Sequence, residues 1–496
     1  MIRTEGQRRV EVHRTAEVAV AVSCMLALGA AAGVYSVKNG NAALIVSGLV
    51  LAASFMLLKD AHDGILGSHR WIPYAWVALC LAPDFRFTFR STFDNSVSSA
   101  TLENFVQVAV YTLVAGLILH SRRLLVAQEP RRLRTGPLLA WPVIALASTV
   151  WSLVPLFTFI RALQLLVPIG LALLTVRFWL RSPEVGRAIW KDTLRLFVKA
   201  VTILIVIGFA TGFWREPRFT WPGTHPGVAP MYIGVAFLIV AAGGRSFLSL
   251  RPSGYVLRLV LFGTALYLGE TRGAAAGILV AIAVMLWLAA RTQPLKSYLG
   301  ITYYLVAVGL VLIAARPEIM QYALRGGTAE GITTLNGRIP LWSLAIDLVN
   351  DAGRWVLGFG YGSARVILPK FIDWAGTAHS AWVEILMAIG ILGPLLLAID
   401  VLYVLRHAWS REAFVPPSVS VSILAFLLVM SITGEGLVVP GIAFVLLALL
   451  HVPVLAKRNS EAVNLGTRAV VSTKQSVASH SHAALAGNAR RQPSGP

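Results

Sequence analysis

The sequence has 496 residues, of which 56% are hydrophobic and only 13% are charged. Because a soluble domain carries about 25% charged residues, this composition excludes a chain built of soluble domains and predicts a polytopic membrane protein. The net charge of +20 does not indicate nucleic-acid binding, since the arginines recur in alternate links between apolar segments, a pattern that orients membrane proteins. Cys24 and Cys80 both lie in apolar segments and predict neither a metal cluster nor a disulfide framework.

Apolar segments separated by short polar links predict helices that cross the membrane, which takes about 20 residues each. In chain order they lie near residues 16–37, 41–58, 70–83, 105–119, 136–153, 159–180, 194–213, 227–243, 255–270, 273–290, 298–315, 380–405, 418–433 and 437–455. The third is short enough to be re-entrant. The first follows the basic stretch MIRTEGQRRVEVHR and lacks a clear cleavage site, which favours a span over a signal peptide. The expected fold class is an all-α polytopic membrane protein with about 12–14 transmembrane helices.

Basic residues predict the sidedness of these spans, because cytoplasmic links are enriched in Lys and Arg. With the N-terminus inside, the basic residues of the inner links are Arg122, Arg123, Arg131, Arg132, Arg134, Arg181, Arg187, Lys191, Arg195, Arg245, Arg251, Arg258, Arg291, Lys296, Arg406 and Arg411. Both termini then fall in the cytoplasm, and residues 316–378 form one long outer loop. The tail from about Lys457 is rich in Ser, Ala and Arg without periodicity, which indicates disorder.

The outer loop contains GRIPLWSLAIDLVNDAG, which predicts a short amphipathic helix. Its apolar residues are Leu341, Trp342, Ala345, Ile346 and Val349, and their spacing places them on one helical face. Pro340 suits a first turn. We expect this helix to lie on the membrane surface or over a cavity.

Three outward-facing residues suggest chemistry. Of the ten His residues only His225 and His379 face outward in this topology, and His379 stands at the mouth of the span TAHSAWVEILMAIGILGP. Arg272 lies in the tight outer link LGETRGAAAG, and Arg338 opens the loop helix. The arginine fork matches phosphate oxygens, whereas a histidine titrates near neutral pH and can take a proton from a hydroxyl. Together they would suit transfer from a diphosphate donor to a hydroxyl.

Several motifs in this order resemble a known family. TRGA (271–274) is followed by GRIPLW (337–342), LGFGYG (357–362), and then His379 before a stretch ending EILMAIGILG (384–393). Upstream, STVWSLVP (148–155) precedes Arg161. Over roughly residues 136–455 the chain resembles the O-antigen ligase and polymerase superfamily of bacterial membrane glycosyltransferases.

The resemblance implies an undecaprenyl-diphosphate-linked glycan donor, a glycan or lipid A–core acceptor, and inverting transfer without a metal or other cofactor. The site would face the periplasm from the bacterial inner membrane, with membrane lipids, a chain-length regulator and export proteins as further partners. It implies that His379 is the catalytic base and that Arg272 and Arg338 bind the donor. The family often has Asn after this His, where this chain has Ser380, and it commonly has about a dozen spans.

Three regions follow from these assignments. Residues 1–135 are N-terminal transmembrane helices, residues 136–455 are the ligase-like core with the periplasmic loop 316–378, and residues 456–496 are the cytoplasmic tail.

Each candidate residue also has a purely structural interpretation. Arg272 could reach lipid headgroups, Arg338 could be a solvated loop charge, and His379 could be an interfacial helix end. Glu384 lies five residues after the His, so the sequence favours its pairing with an Arg on another span over orienting the base. Glu270 could pair locally with Arg272.

Two loops leave alternatives open. WREPRFTWPGTHPG (214–227) is an interfacial aromatic belt or, alternatively, a substrate loop in which Trp214 or Trp221 stacks on sugar while Arg215 and Arg218 bind phosphate. His225 is interpreted as a loop residue. LGFGYG follows no predicted strand and is interpreted as a mobile turn.

Polymerase and ligase remain alternatives for the function, with polymerase favoured slightly by the extra spans and by the lack of a feature dedicated to lipid A. A lipid-linked oligosaccharide flippase is the rival class. Transporters usually place carboxylates deep in the membrane, whereas Glu384 lies near the outer edge and Asp400 near the inner edge, and no inverted repeat is visible. A scaffold for polysaccharide export is a third class.

Overall fold

The computed structural model describes residues 69–84, 102–126, 133, 135–213, 218–292, 302, 334–408, 416–434 and 436–461. Within these ranges the chain folds into helices joined by turns, without any strand, which confirms the all-α fold class. The helices are α1 (Ile72–Leu81), α2 (Leu102–Val126), α3 (Ala140–Ala147), α4 (Pro155–Arg181), α5 (Pro183–Ala210), α6 (Ala229–Leu248), α7 (Pro252–Leu268), α8 (Arg272–Thr292), α9 (Arg338–Asp351), α10 (Ala364–Ile367), α11 (Ala381–Ile389), α12 (Leu392–Ala408), α13 (Pro417–Ile432) and α14 (Ile442–Glu461).

Five of the described helices are long and apolar enough to cross a membrane, namely α4, α5, α6, α8 and α14. Shorter apolar helices accompany them, among them α7 and α13, so the protein is a polytopic membrane protein. The predicted spans near 16–37, 41–58 and 298–315 lie outside the described residues, as do Arg215 and residues 316–333 of the outer loop.

The last helix extends further than the sequence predicted. It runs to Glu461, whereas the predicted span ended near residue 455. Lys457 Nζ lies 3.9 Å from Glu461 Oε1, one helical turn on, and Arg458 donates to the Tyr403 hydroxyl at 3.1 Å. These polar contacts continue the helix beyond the apolar segment, which alone was visible in the sequence.

Small residues allow the central helices to pack closely. Phe426 of α13 is fully buried, and its ring fits between α6 and α8. A β-carbon on Gly234 of α6 would lie 2.4 Å from Phe426 Cζ, and one on Gly277 of α8 would lie 2.7 Å from Phe426 Cδ2. Small residues are the usual means by which membrane helices approach one another, and here they bring the end of α13 next to the start of α8.

The single span predicted near 380–405 is wrong, because the structure breaks it into α11 and α12. Gly390, between them, has φ 69° and ψ −162°, a backbone conformation that ends the helix and is open essentially only to glycine. The following N–H, on Ile391, donates to the Trp355 carbonyl at 2.7 Å. The outer-loop segment before α10 therefore packs directly against the break and supplies an acceptor for a backbone group that leaves the helix.

The interpretation of LGFGYG as a mobile turn is also wrong, because Gly358 and residues 360–362 are buried and the segment is hydrogen-bonded to its surroundings. Phe359 N and Gly360 N donate to Met387 O at 2.8 Å and Ala388 O at 2.9 Å. A β-carbon on Gly360 would lie 2.4 Å from Ser152 Cα. The glycines thus let the loop backbone lie against α11 on one side and against residues 148–155 on the other.

The predicted loop helix is confirmed as α9, with a narrower buried face than expected. Leu341, Ala345 and Val349 are fully buried, whereas Ile346 is exposed. They form a small apolar core of their own with residues of α10, α11 and the segment between them, namely Ala364, Ile367, Leu368, Ala375, Ala378 and Met387. Helix α9 therefore packs against α11 and against the segment that directly precedes α11.

Candidate active site

The start of α9 lies next to Arg272, the first residue of α8. Arg272 Nη1 makes a long contact of 3.5 Å with Asn336 Oδ1, two residues before Arg338. Because Arg338 begins α9 directly after Gly337, this contact brings Arg272 to the turn that leads into the helix of Arg338.

The environment of Arg272 favours an anion. The residue opens α8, where unpaired backbone N–H groups leave partial positive charge, and the guanidinium adds a full one. Its Nε is buried and, within the described part of the chain, has no hydrogen-bond acceptor. A buried donor without a partner costs about 1–3 kcal/mol. An acceptor such as a phosphate oxygen would remove that cost and offset both charges.

His379 is connected to the start of α9 through Trp374. The imidazole and the indole are stacked, with centroids 5.8 Å apart and an interplanar angle of 25°. A β-carbon on Gly337 would lie 3.5 Å from Trp374 Cζ2. Trp374 therefore lies between His379 and the turn before Arg338. Because Trp374 is 45% exposed, there is room for another group beside its indole.

The C-terminal end of α13 provides a second connection between Arg272 and His379. A β-carbon on Gly273, the residue after Arg272, would lie 3.1 Å from Thr433 Oγ1. Trp382 of α11, three residues after His379, donates from Nε1 to Ser431 Oγ at 3.1 Å. The starts of α8, α9 and α11 therefore meet at one end of the helix bundle.

Backbone strain is concentrated at this end. Of five described non-glycine residues with positive φ, four flank or form the predicted site: Glu270 (44°), Leu335 (52°), Asn336 (59°) and His379 (49°). Each such conformation costs about 1–3 kcal/mol and persists where surrounding contacts impose it, which happens most often at functional sites.

Comparison with known families agrees with this geometry. Residues 257–398 match the family model described as O-antigen ligase. This part of the chain is similar to O-antigen ligases. The matched range runs from α7 into α12 and contains Arg272, Arg338 and His379, so the resemblance seen in the sequence is confirmed. No curated protein matches the chain.

Within the matched range 257–398, Glu384 makes a structural contact that the sequence did not predict. Its carboxylate is buried, with 3% of the residue exposed, and Oε2 accepts a hydrogen bond from the backbone N–H of Ala378 at 2.9 Å. The sequence favoured pairing with an Arg on another span, which stays a prediction. The observed contact brings the carboxylate to the backbone next to His379.

Residues 218–227, the described part of the loop at 214–227, lie outside the matched range but reach the same end of the bundle. Phe219 N donates to Leu268 O, at the end of α7, at 2.8 Å, which brings the neighbouring Arg218 close to the α7–α8 link. The interpretation of Trp221 as a sugar-stacking residue is wrong, because its ring is 1% exposed and packs edge-on against Tyr232 at 6.0 Å. His225 Nδ1 accepts the Gly227 N–H at 3.0 Å and closes a turn.

The motif STVWSLVP (148–155) holds the glycine segment 357–362. The sequence left the role of this motif unassigned. Tyr361 N donates to Ser148 Oγ at 2.9 Å, Thr158 Oγ1 donates to Tyr361 O at 2.5 Å, and Ser152 Oγ lies 3.2 Å from Ser363 Oγ. Burial raises the pKa of the Tyr361 phenol, so its hydroxyl keeps its proton and donates to Val438 O at 2.8 Å. In the sequence, only the spacing of the Ser and Thr residues indicated this network.

A buried pair away from the site was also missed. His451 Nε2 of α14 lies 2.8 Å from Asp400 Oδ1 of α12, and both side chains are fully buried. His451 Nδ1 lies 2.8 Å from the Leu447 carbonyl, which can only accept, so Nδ1 carries a proton. One further proton between Nε2 and Oδ1 then makes the pair electrically neutral overall.

Proposed function

We propose that the protein is an inner-membrane glycosyltransferase that polymerises or transfers undecaprenyl-diphosphate-linked oligosaccharides at the periplasmic face. The observation that carries the proposal is the set of contacts joining Arg272, the start of α9 and His379: Arg272 to Asn336, Gly337 to Trp374, and Trp374 to His379. A base and two arginines beside one another are what transfer from a diphosphate donor to a hydroxyl requires.

The reaction follows from the charges of these groups. His379 takes the proton of an acceptor hydroxyl as its oxygen attacks the anomeric carbon from the side opposite the diphosphate. The bond from the anomeric carbon to the phosphate oxygen breaks, its electron pair remains on the diphosphate, and the sugar configuration inverts. Arg272 and Arg338 stabilise the negative charge that develops on the leaving group, while Arg218 and Arg215 are proposed to bind it more peripherally.

The direct test is His379→Ala in membranes with matched protein levels. As a general base the imidazole contributes about 10²–10⁴-fold, so we expect transfer to fall by that factor while insertion and expression stay unchanged. The donor is the lipid-linked glycan extracted from cells that lack the protein. Wild-type transfer by a well-inserted variant would remove His379 from the reaction.

The same deletion strain distinguishes polymerase from ligase. Loss of a polymerase leaves lipid diphosphate carrying a single repeat unit, whereas loss of a ligase leaves lipid diphosphate carrying long polymers. We propose the polymerase role, because the sequence has extra spans and no feature dedicated to lipid A. Accumulation of long polymers on the lipid carrier would assign the ligase role instead.

One observation favours the flippase alternative. Asp400 and His451 form a fully buried pair between α12 and α14, and ionisable groups inside a membrane often mark transport pathways. Purified protein in detergent separates the two classes, because transfer there needs no translocation. Transfer activity retained in detergent by Asp400→Asn would leave the pair with a structural role, and absence of transfer by the wild type there would favour transport.

A further inference from the structure

The backbone of Ala378, the residue before His379, is held from two sides. The backbone N–H of Ala378 donates to Glu384 Oε2 at 2.9 Å, and the Ala378 carbonyl accepts a hydrogen bond from Trp342 Nε1 at 2.9 Å. Glu384 belongs to α11 and Trp342 to α9. Two side chains from different helices thus occupy both hydrogen-bonding groups of the one residue that precedes the proposed base.

The backbone at His379 needs such support. Its φ of 49° is left-handed, which costs a residue other than glycine about 1–2 kcal/mol. Its own N–H donates to Thr377 Oγ1 at 3.3 Å, a local contact that holds the turn but does not tie it to a helix. Ala378 is fully buried, so neither of its backbone groups could turn to water if a partner were lost.

Trp342 also connects the base to the donor side of the site. It lies four residues after Arg338, and residues at this spacing share a face of the helix. The same helix therefore carries Arg338 at its first residue and holds the His379 backbone one turn later. Because α9 packs through Leu341, Ala345 and Val349 on Met387 of α11 and the segment before it, its position fixes both relations together.

We propose that Glu384 and Trp342 are positioning residues that clamp the backbone of Ala378 on both sides of its Cα and thereby aim His379 at the acceptor hydroxyl while α9 presents Arg338 to the donor. The inference rests on the proposed transferase function. In this role the carboxylate acts through the Ala378 backbone. An amide oxygen can accept the same N–H, so the clamp requires an acceptor of the same shape at residue 384 and no negative charge.

The test is steady-state kinetics of the full-length protein with the lipid-linked glycan extracted from the deletion strain. Glu384→Ala should lower kcat by about 10- to 100-fold with an unchanged KM for the donor, because misplacement by about 1 Å is enough for such a loss. Glu384→Gln should stay within about threefold of wild type, because Oε1 still accepts the Ala378 N–H.

Trp342→Phe tests the other side of the clamp, and Trp355→Phe is its matched control. Trp355 Nε1 donates to Asn350 Oδ1 at 3.2 Å, so this change also removes an indole hydrogen bond beside α9 but leaves Ala378 alone. We expect only Trp342→Phe to lower kcat. In the double variant Glu384→Ala/Trp342→Phe, kcat should fall by less than the product of the single losses, since both side chains hold the backbone of the same residue.

A wild-type kcat for Glu384→Ala would overturn the clamp. It would also be overturned if Glu384→Gln lost as much kcat as Glu384→Ala, or if Trp355→Phe lost as much as Trp342→Phe. If Glu384→Ala does not fold, the Gln and Phe variants still decide. The His379→Ala variant separates failure of the clamp from failure of the proposed base. If His379→Ala is inactive while Trp342→Phe and Glu384→Ala are fully active, only the clamp is removed. If His379→Ala is active, the proposed base is removed.

Discussion

At the scale of single residues, the site combines positive charge with backbone conformations that cost free energy. Arg272 stands at a helix start with a buried Nε that no described residue accepts from. Leu335, Asn336 and Gly337 all have positive φ directly before Arg338. Runs of left-handed residues are rare in proteins because each one is strained. Hydrogen bonds from Gly337 N to Thr334 Oγ1 and from Ile339 N to Thr334 O close this turn, and Arg272 and Trp374 lie against it.

The arginines are expected to need their planar fork and not only their charge. A diphosphate offers several oxygens that a guanidinium meets with paired hydrogen bonds, which the ammonium of lysine cannot reproduce. Losing one charge-assisted hydrogen bond costs about 1.5–3 kcal/mol. Arg272→Lys and Arg338→Lys should therefore each lower transfer by about 10- to 100-fold, measured in membranes with matched protein levels beside the corresponding Ala variants.

The Lys variants distinguish two roles. If the arginines only reach lipid headgroups, Lys should serve equally well, because that contact needs charge on a long stem. Full activity of both Lys variants would therefore contradict paired phosphate contact. Full activity of either Ala variant would remove that residue from the site.

At the scale of elements, the glycine segment 357–362 and the break between α11 and α12 depend on each other. Gly358 and Gly390 lie where two backbones meet: a β-carbon on Gly358 would lie 2.6 Å from Met387 O, and one on Gly390 would lie 2.3 Å from Val356 O. This approach delivers the Phe359 and Gly360 N–H groups to carbonyls at the end of α11. The segment thus fixes α11, and with it the position of His379 at its start.

Gly360→Ala should strongly destabilise the protein, whereas Gly353→Ala should not. Both glycines have positive φ, 95° and 62°, but a β-carbon at 360 would overlap Ser152 Cα at 2.4 Å while one at 353 would meet open space. Left-handed strain alone costs about 1–2 kcal/mol, and the overlap with buried backbone adds to it at residue 360 only. Thermal midpoints of the two variants in detergent measure the difference, and equal midpoints would show that the segment is not confined as described.

At the scale of the whole molecule, the proposed reaction requires the site end of the bundle to face the periplasm. This assignment comes from the alternation of basic links along the sequence. We expect reporter fusions placed near residue 330 and at the C-terminus to report opposite sides of the membrane, with the C-terminus cytoplasmic. Periplasmic signals from both fusions, or cytoplasmic signals from both, would remove His379 from its assigned compartment.

The sequence by itself determined the membrane character, the approximate helices, the amphipathic loop helix and the family resemblance. These depend on composition, on apolar stretches about as long as the hydrocarbon core is thick, and on periodicity within one helix. It also singled out Arg272, Arg338 and His379, because charged or titratable groups at the edge of a membrane cost free energy and need a compensating role.

Only the tertiary structure decided which distant residues share a site. Three sets of contacts join parts of the chain that no local pattern connects. They are the contact of Arg272 with Asn336, the two hydrogen bonds on the backbone of Ala378, and the pairing of Asp400 with His451. The broken span at Gly390 and the buried glycine segment were mispredicted for the same reason. A hydropathy pattern records which residues are apolar, but backbone that leaves a helix inside a membrane protein is stable only where neighbouring segments supply its hydrogen bonds, and those neighbours are set by the fold.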